Sequence, residues 1–405
     1  AAMRAAWAPW GPVGALEEAV AGADLVVDAL FGIGLSRPVP EAVRRALGPA
    51  QGRVVAVDLP SGICAETGRD LGAARRCDLT VTFHRRKLGH VLGEGPAWCG
   101  ALRVVDIGLE GAMPAGVVQE ALPAREALAK RAGHKFDHGH ALVLSGPSGR
   151  GGAARLAARG ALRMGAGLVT LGAPPEALAE HAARLDAVML RAVADAGDLA
   201  ALLEDRRISA LCLGPGMGSG AREAGLLAAA CAGQAALVLD ADALTLLARA
   251  PEGGAVRDGV RRTRSVLTPH GGEFARLWPD LADRLAASEA KGAVFSKVEA
   301  CRAAAARVGA VVLFKGPDTV IAAPDGRCAV HVAAYERAAP WLATAGSGDV
   351  LAGFICGALA RGMPPFEAAC TSAWLHGEAA RRFGPGLIAE DLPETLPGVF
   401  RDLGL

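Results

Sequence analysis

Thr344-Ala345-Gly346-Ser347-Gly348-Asp349 runs straight into an apolar stretch that begins Val350-Leu351-Ala352-Gly353. A glycine turn that opens a helix presents backbone N–H groups without helical partners and the positive end of the dipole. Together these make an anion site. An Asp in that first turn can take the proton of a hydroxyl as the hydroxyl attacks a phosphate. The chemistry these residues fit is phosphoryl transfer, with the Gly346–Gly348 turn holding phosphate and Asp349 as the base. An ordinary helix entry with an acid in its first turn looks the same, so the reading needs support from other segments.

Several other turns offer it. Lys315-Gly316-Pro317-Asp318-Thr319 follows an apolar run. The Lys can neutralise phosphate charge, Gly316 lets the backbone approach, and the Thr319 hydroxyl can donate, although Pro-Asp is also ordinary hairpin chemistry. Thr268-Pro269-His270-Gly271-Gly272-Glu273 sets a His and an acid around two glycines. His270 can hydrogen-bond a substrate amide or ribose, while Thr268 or Glu273 can equally cap a helix. Gly214-Pro215-Gly216-Met217-Gly218 admits a flat ligand. Asp240 and Asp242 can hold Mg²⁺ indirectly or simply end a strand. His134, His138 and His140 have H-x3-H-x-H spacing, but Lys135 and Asp137 interleave them just before a strand, so metal binding is not expected there.

These turns lie at the ends of apolar runs. Strands are expected at residues 24–30, 53–58, 79–83 and 102–107, and again at 141–144, 208–213, 235–239, 265–267 and 311–314, with a helix at 153–164. Val-, Leu- and Ala-rich runs of this kind, buried on both faces, belong to parallel sheets. Ligands bind along the carboxyl edge of such sheets. Residues 108–122 contain Pro114 and several glycines without periodicity and read as a linker. The organisation expected is one α/β domain at 1–110, a linker at 111–129 and a second α/β domain at 130–405.

Composition excludes several classes. A chain of 405 residues suits two domains, and 52% hydrophobic residues suffice for large cores. A formal net charge of +1 argues against nucleic acid or an anionic membrane surface as partner. No apolar run is long enough to span a bilayer, and Ala1-Ala2-Met3-Arg4 does not open a secretory leader. The nine cysteines form no C-x-x-C pair, so neither structural zinc nor a disulfide framework is expected, and a cytoplasmic location fits. Homo-oligomerisation is left open.

The order of the motifs is more specific than any one of them. Apolar runs leading into SGPSGRGGAA, GPGMG, LTPHGGEF and FKGPDT, and then ATAGSGDVLAG, occur in that order. Over about residues 130–382 the chain resembles the ADP-dependent NAD(P)H-hydrate dehydratases, a ribokinase-like family. The resemblance implies that Ala153, Gly218, His270 and Asp349 contact the hydrated dihydronicotinamide nucleotide. It implies that Lys315, Gly316, Pro317, Asp318 and Thr319, with Thr344, Ala345, Gly346, Ser347 and Gly348, hold the adenine nucleotide, and that ADP with Mg²⁺ is the phosphoryl donor. Asp349 would be the catalytic base. A ribokinase-like kinase for a vitamin or alcohol, with a non-catalytic N-terminal nucleotide-binding module, is the alternative; the TPHGGEF and KGPDT pair argues against it.

An earlier set is also ordered: Asp28-Ala29-Leu30-Phe31-Gly32-Ile33-Gly34-Leu35-Ser36-Arg37-Pro38, Val57-Asp58-Leu59-Pro60-Ser61-Gly62, Glu66-Thr67-Gly68 and Lys87-Leu88-Gly89-His90. It resembles the later two-thirds of the NAD(P)H-hydrate epimerase domain. The resemblance implies that Asp28 and Ser61 bind K⁺, that Gly32, Ile33, Gly34, Leu35, Ser36, Arg37, Pro38 and Asp58 bind the hydrated nucleotide, and that Asp58 is the acid–base residue. That family opens with a strand and an Asn- and Gly-rich phosphate loop, and residues 1–23 contain nothing similar. The expectation is an incomplete epimerase half that lacks catalytic competence as it stands. The fold class expected is thus α/β: a partial Rossmann-like epimerase domain, then a ribokinase-like domain with a central, mostly parallel sheet.

Overall fold

The computed structural model describes residues 6–7, 9–48, 51–73, 75–109, 111, 116–130, 132–287 and 295–405. The first four residues and positions 112–115 of the expected linker lie outside these. The chain forms two compact units, one of residues 1–113 with 287–296 and one of 114–286 with 297–405. Among the described residues, no helix is long and apolar enough to cross a membrane.

In the first unit β1 (Leu25–Asp28), β2 (Arg53–Val57), β3 (Leu79–Phe83) and β4 (Ala101–Val105) form a sheet in the order β1-β2-β3-β4. Every pairing is parallel. The sequence reading of strands buried on both faces does not hold here. Val26, Val54, Ala56, Thr80 and Thr82 are buried, whereas Leu25 and Val27 on the opposite face of β1 are 56% and 59% exposed. An apolar run states only that both faces are apolar; what covers each face is a tertiary matter.

The second unit is built on a ten-stranded sheet. Its strands are β5 (Gln119–Glu120), β6 (His140–Leu144), β7 (Leu168–Ala173), β8 (Met189–Ala192), β9 (Ile208–Leu213), β10 (Ala236–Leu239), β11 (Ser265–Leu267), β12 (Val311–Phe314), β13 (Asp318–Ala322) and β14 (Cys328–Val332). Their order is β5-β14-β13-β12-β11-β10-β9-β6-β7-β8. Only the β12–β13 and β13–β14 pairings are antiparallel. From β6 the chain first builds outward to β7 and β8, then returns to place β9 on the other side. Such a reversal opens a crevice at the carboxyl edge. The residues of β6 and β10 are all buried, as a sheet covered on both faces requires.

Within the expected linker, Gln119 and Glu120 pair with β14, and Ala121 and Leu128 are buried in the main core. A two-residue strand is too short to carry a periodicity, which is why the sequence does not announce it. The helix Ser347–Ala360 is buried from Val350 onward and lies against the helix Gly152–Arg163. Glycine permits this closeness: a Cβ at Gly353 would come 2.1 Å from the Ala157 carbonyl oxygen. The helix that begins at the glycine turn is therefore locked to the one that carries Ala153.

Candidate active site

The carboxyl edge of the second sheet gathers the sequence motifs. Asp240, at the end of β10, is 1% exposed. Its Oδ1 accepts from Thr268 Oγ1 at 2.8 Å and from Lys315 Nζ at 2.7 Å. Glu273 Oε2 stands 3.9 Å from the same ammonium. Burial works against the Lys315 charge, but the Asp240 carboxylate holds its pKa above the ordinary lysine value. Lys315 ends β12, 75 residues from Asp240, and only the parallel sheet joins them.

Gly346 caps the helix Ser347–Ala360 at φ 87°, and a Cβ there would lie 2.7 Å from Leu156 Cδ1. Conformation and space both demand glycine. Ser347 Oγ donates to the Leu342 carbonyl at 2.9 Å, and His376 Nε2 donates to the Ser347 carbonyl at 2.8 Å. Burial pushes His376 down to about 4, so it stays neutral. These two bonds hold the turn, and its first-turn amides lie along the helix axis. Asp349 is half-buried. Burial, then the nearby Asp240 carboxylate, raises its pKa to about 6, against the pull of Lys315.

Lys315, Gly316, Pro317, Thr319, Ser347 and Gly348 line one cavity of about 600 Å³, whose far wall is apolar and includes Ala338, Leu342, Leu351 and Ala373. Asp318, Thr344, Ala345 and Gly346 are not among its lining residues. The KGPDT segment makes the β12–β13 hairpin turn and opens β13 with Asp318 and Thr319, so its turn chemistry and its place at the cavity coexist. The Thr319 hydroxyl closes that turn, donating to Gly316 O at 2.8 Å and accepting from Gly316 N at 3.2 Å.

On the other side of Asp240, Gly218 N donates to Asp242 Oδ2 at 2.8 Å. Gly214 is there for space: a Cβ would be 1.7 Å from the Asp240 carbonyl oxygen. Ala153 neighbours Gly216, whose would-be Cβ is 3.4 Å from that of Ala153. His270 is exposed; its Nδ1 accepts from Gly272 N at 3.0 Å, while Glu273 Oε2 accepts from His270 N at 2.9 Å. Here the capping role and an outward-facing imidazole are compatible. Glu180 fastens the SGPSGRGG loop, accepting from Gly149 N at 2.6 Å, Arg155 at 2.8 Å and Ser148 Oγ at 3.1 Å. The Gly149 amide, then Arg155, pulls its carboxyl down to about 2. Glu180 carries no sequence signal, since it lies on a different element from the loop it holds. His140 donates to or accepts from Thr170 at 2.7 Å. Among the described residues, no three His, Cys, Asp or Glu side chains converge as a metal cluster.

The first unit brings its own candidates together. Asp28 Oδ1 accepts from Ser61 Oγ at 2.6 Å, and Oδ2 from Ser61 N at 2.8 Å. Ser61 Oγ accepts from Phe31 N at 3.0 Å, which ties the GIG loop to the same point. Asp58 has φ 71°, an uncommon conformation for a residue with a side chain and one that collects at functional sites. His90 Nε2 donates to its carbonyl at 2.7 Å, the tautomer being set by Lys87 N donating to Nδ1 at 2.9 Å. The Asp58 carboxylate meets Lys87 Nζ at 2.6 Å and accepts from Thr82 Oγ1 at 2.8 Å. Burial opposes its charge, but Lys87 and Thr82 bring its pKa below the ordinary carboxylate value. Gly32 stands over it, a Cβ there being 3.3 Å from Asp58 Oδ2. Lys87 and Thr82 lie in segments quoted from the sequence, yet nothing in the sequence assigns them to Asp58.

Comparison with known proteins bears on the family and the fold. A family model described as NAD(P)H-hydrate dehydratase matches residues 141–396, and one described as YjeF-related protein N-terminus matches residues 2–89. The bifunctional NAD(P)H-hydrate repair enzyme Nnr of Moorella thermoacetica is 37% identical over 409 residues, covering 94% of this chain and 73% of the relative. Its Escherichia coli counterpart is 32% identical over 388 residues, covering 92% and 71%. Among solved structures, the ADP/ATP-dependent NAD(P)H-hydrate dehydratase of Bacillus subtilis co-crystallised with ATP/Mg²⁺ superposes with a TM-score of 0.56 at 27% identity, covering 69% of this chain and 95% of that one. The chain belongs to the family of bifunctional NAD(P)H-hydrate repair enzymes, and its second sheet has the ribokinase-like dehydratase fold.

Proposed function

We propose that this chain repairs hydrated NADH and NADPH, its second unit dehydrating the (S)-hydrate at the expense of ADP. The observation that carries the reading is a half-buried Asp349 at the opening of a glycine-turned helix, beside the Lys315–Asp240 pair and an apolar-walled cavity that suits an adenosine. Hydroxide is a poor leaving group. Asp349 takes the proton of the substrate hydroxyl as its oxygen attacks the β-phosphorus of ADP; the β-phosphorus–oxygen bond to AMP breaks and AMP leaves. The phosphorylated carbon then loses phosphate with the C–O electron pair, the neighbouring carbon loses a proton, and the ring double bond returns. The products are NAD(P)H, AMP and phosphate. Lys315 and the Gly346–Gly348 amides stabilise phosphate charge in this scheme.

Mg²⁺ fits the site as an ion carried by the diphosphate. Asp240 and Asp242 would be its protein carboxylates in this reading, and an ion held largely by phosphates needs no all-protein cage. It would supply charge neutralisation there. In the first unit we read Asp58 as the acid–base residue that inverts the hydrated carbon, residues 32–38 as its binding loop, and Asp28 with Ser61 as oxygen ligands suited to K⁺. Free, buried cysteines fit a cytoplasmic setting.

The test is recovery of the near-ultraviolet dihydronicotinamide absorbance from purified hydrated NADH with ADP, with ATP and without nucleotide, Mg²⁺ being present throughout. Recovery that requires ADP supports the proposal; no recovery with any donor overturns it. Inversion of the (R)-hydrate on adding K⁺ tests the first unit, and its absence would make that unit non-catalytic.

A further inference from the structure

Lys297 opens the helix Lys297–Val308, and its side chain is only 14% exposed. Its Nζ faces three oxygens of the β12–β13 turn: Lys315 O at 3.3 Å, Asp318 O at 3.0 Å and Asp318 Oδ1 at 2.6 Å. An ammonium has three protons to give, and here one turn can receive them all. The same nitrogen lies 4.6 Å from the centre of the Phe314 ring, and Phe314 stacks on Phe274 with centroids 4.1 Å apart. Gly316 makes the fit possible, since a Cβ there would stand 2.6 Å from Nζ. Lys297 does not line the cavity, whereas Lys315, Gly316, Pro317 and Thr319 of the turn do.

We infer that Lys297 is a positioning residue for the nucleotide's phosphates. It pins the turn from behind, so that Lys315 and the loop backbone stand ready before the nucleotide arrives, and binding does not have to order them. This rests on reading the turn as part of the adenine-nucleotide site.

The test is steady-state dehydration of hydrated NADH by the full chain, with KM for ADP and for hydrate measured separately and thermal melting as the folding control. Lys297→Met is expected to raise KM for ADP tenfold or more and to move KM for hydrate less than twofold. Lys297→Arg keeps the pair with Asp318 but not the compact threefold donation, so a smaller rise is expected. Asp318→Asn keeps both carbonyl bonds and predicts a rise of about threefold; these two variants carry the test if the Met variant fails to fold. An unchanged KM for ADP in folded variants, or equal rises for ADP and hydrate, would overturn the inference. If the wild-type chain shows no ADP-dependent recovery, the functional reading is what fails. Calorimetric ADP binding then decides the positioning role alone: weakening by tenfold in Lys297→Met upholds it, and an unchanged Kd removes it.

Discussion

The two units each present an aspartate at a sheet edge, and they tune it in opposite directions. Asp58 meets an ammonium at 2.6 Å, and its carboxyl falls below the ordinary range. Asp349 sits among Asp240, Asp242 and Glu273 in a desolvated turn, and its carboxyl rises to about 6. A base with a pKa near 6 is ionised at neutral pH yet holds a proton well, which suits deprotonating a hydroxyl. Asp58 is a weaker base while Lys87 is bound to it, so proton exchange there depends on the whole Asp58–Lys87–Thr82 group. The lesson is that one residue type is tuned in two directions: burial, helped by neighbouring acids, raises Asp349 despite Lys315, whereas bonds from Lys87 and Thr82 outweigh burial at Asp58.

The largest expected effect breaks the comparison on the Asp349 side. Asp349→Asn keeps the shape and removes the base, so ADP-dependent recovery should fall roughly 10²–10⁴-fold while calorimetric ADP binding persists. Near-normal turnover would remove Asp349 from the chemistry. On the other side, Asp58→Asn should slow inversion of the hydrate by about 10²-fold and leave recovery from the (S)-hydrate unchanged. Loss of both activities would mean the two sites are not independent.

The pH dependence sharpens the contrast. Asp349 must be ionised to act, so kcat/KM for dehydration should drop about tenfold per unit as pH falls below about 6. Lys315→Ala should raise KM for ADP about tenfold, and more than KM for hydrate. Because Lys315 lowers the Asp349 pKa, its removal should also shift the acid limb to higher pH. An unmoved limb would uncouple the two residues.

The remaining effect is on stability. A carboxyl whose folded pKa lies above its unfolded value near 3.8 destabilises the fold wherever it must be charged. That cost is complete above pH 6 and disappears as pH falls from 6 to below 3.8. Asp349→Asn should therefore raise stability by about 3 kcal/mol at pH 7, with the gain gone near pH 3.5. A Tm difference independent of pH would contradict the assigned shift.

Much of this was legible in the chain. The runs at 53–58, 79–83, 208–213 and 311–314 became β2, β3, β9 and β12 within a residue, because short Val- and Leu-rich stretches between glycine turns have few other uses. β7, β8 and β14 lack a motif at their ends, and helix or strand is ambiguous for brief apolar runs; β13 is hidden because it starts within the KGPDT turn motif. Of the candidate site, glycine settings in the sequence single out Asp349, Lys315 and His270, whereas Asp58, Asp28 and Ser61 are singled out by the family resemblance. The sequence did not announce the Lys315–Asp240 pair, the Lys87 partner of Asp58, the clamp of Glu180 or the anchor of Lys297, because each joins segments that are distant or on different elements.

The sequence by itself determined the local frame: which runs form strands, where glycine must turn the chain, and which acids stand at those turns, since these follow from neighbouring residues and backbone sterics. Tertiary structure alone decided the protonation behaviour of the acids and which face of each sheet is covered. Those depend on what the parallel pairing of β9, β10, β11 and β12 brings within a few ångströms, and electrostatic energy depends on distance and burial, not on separation along the chain.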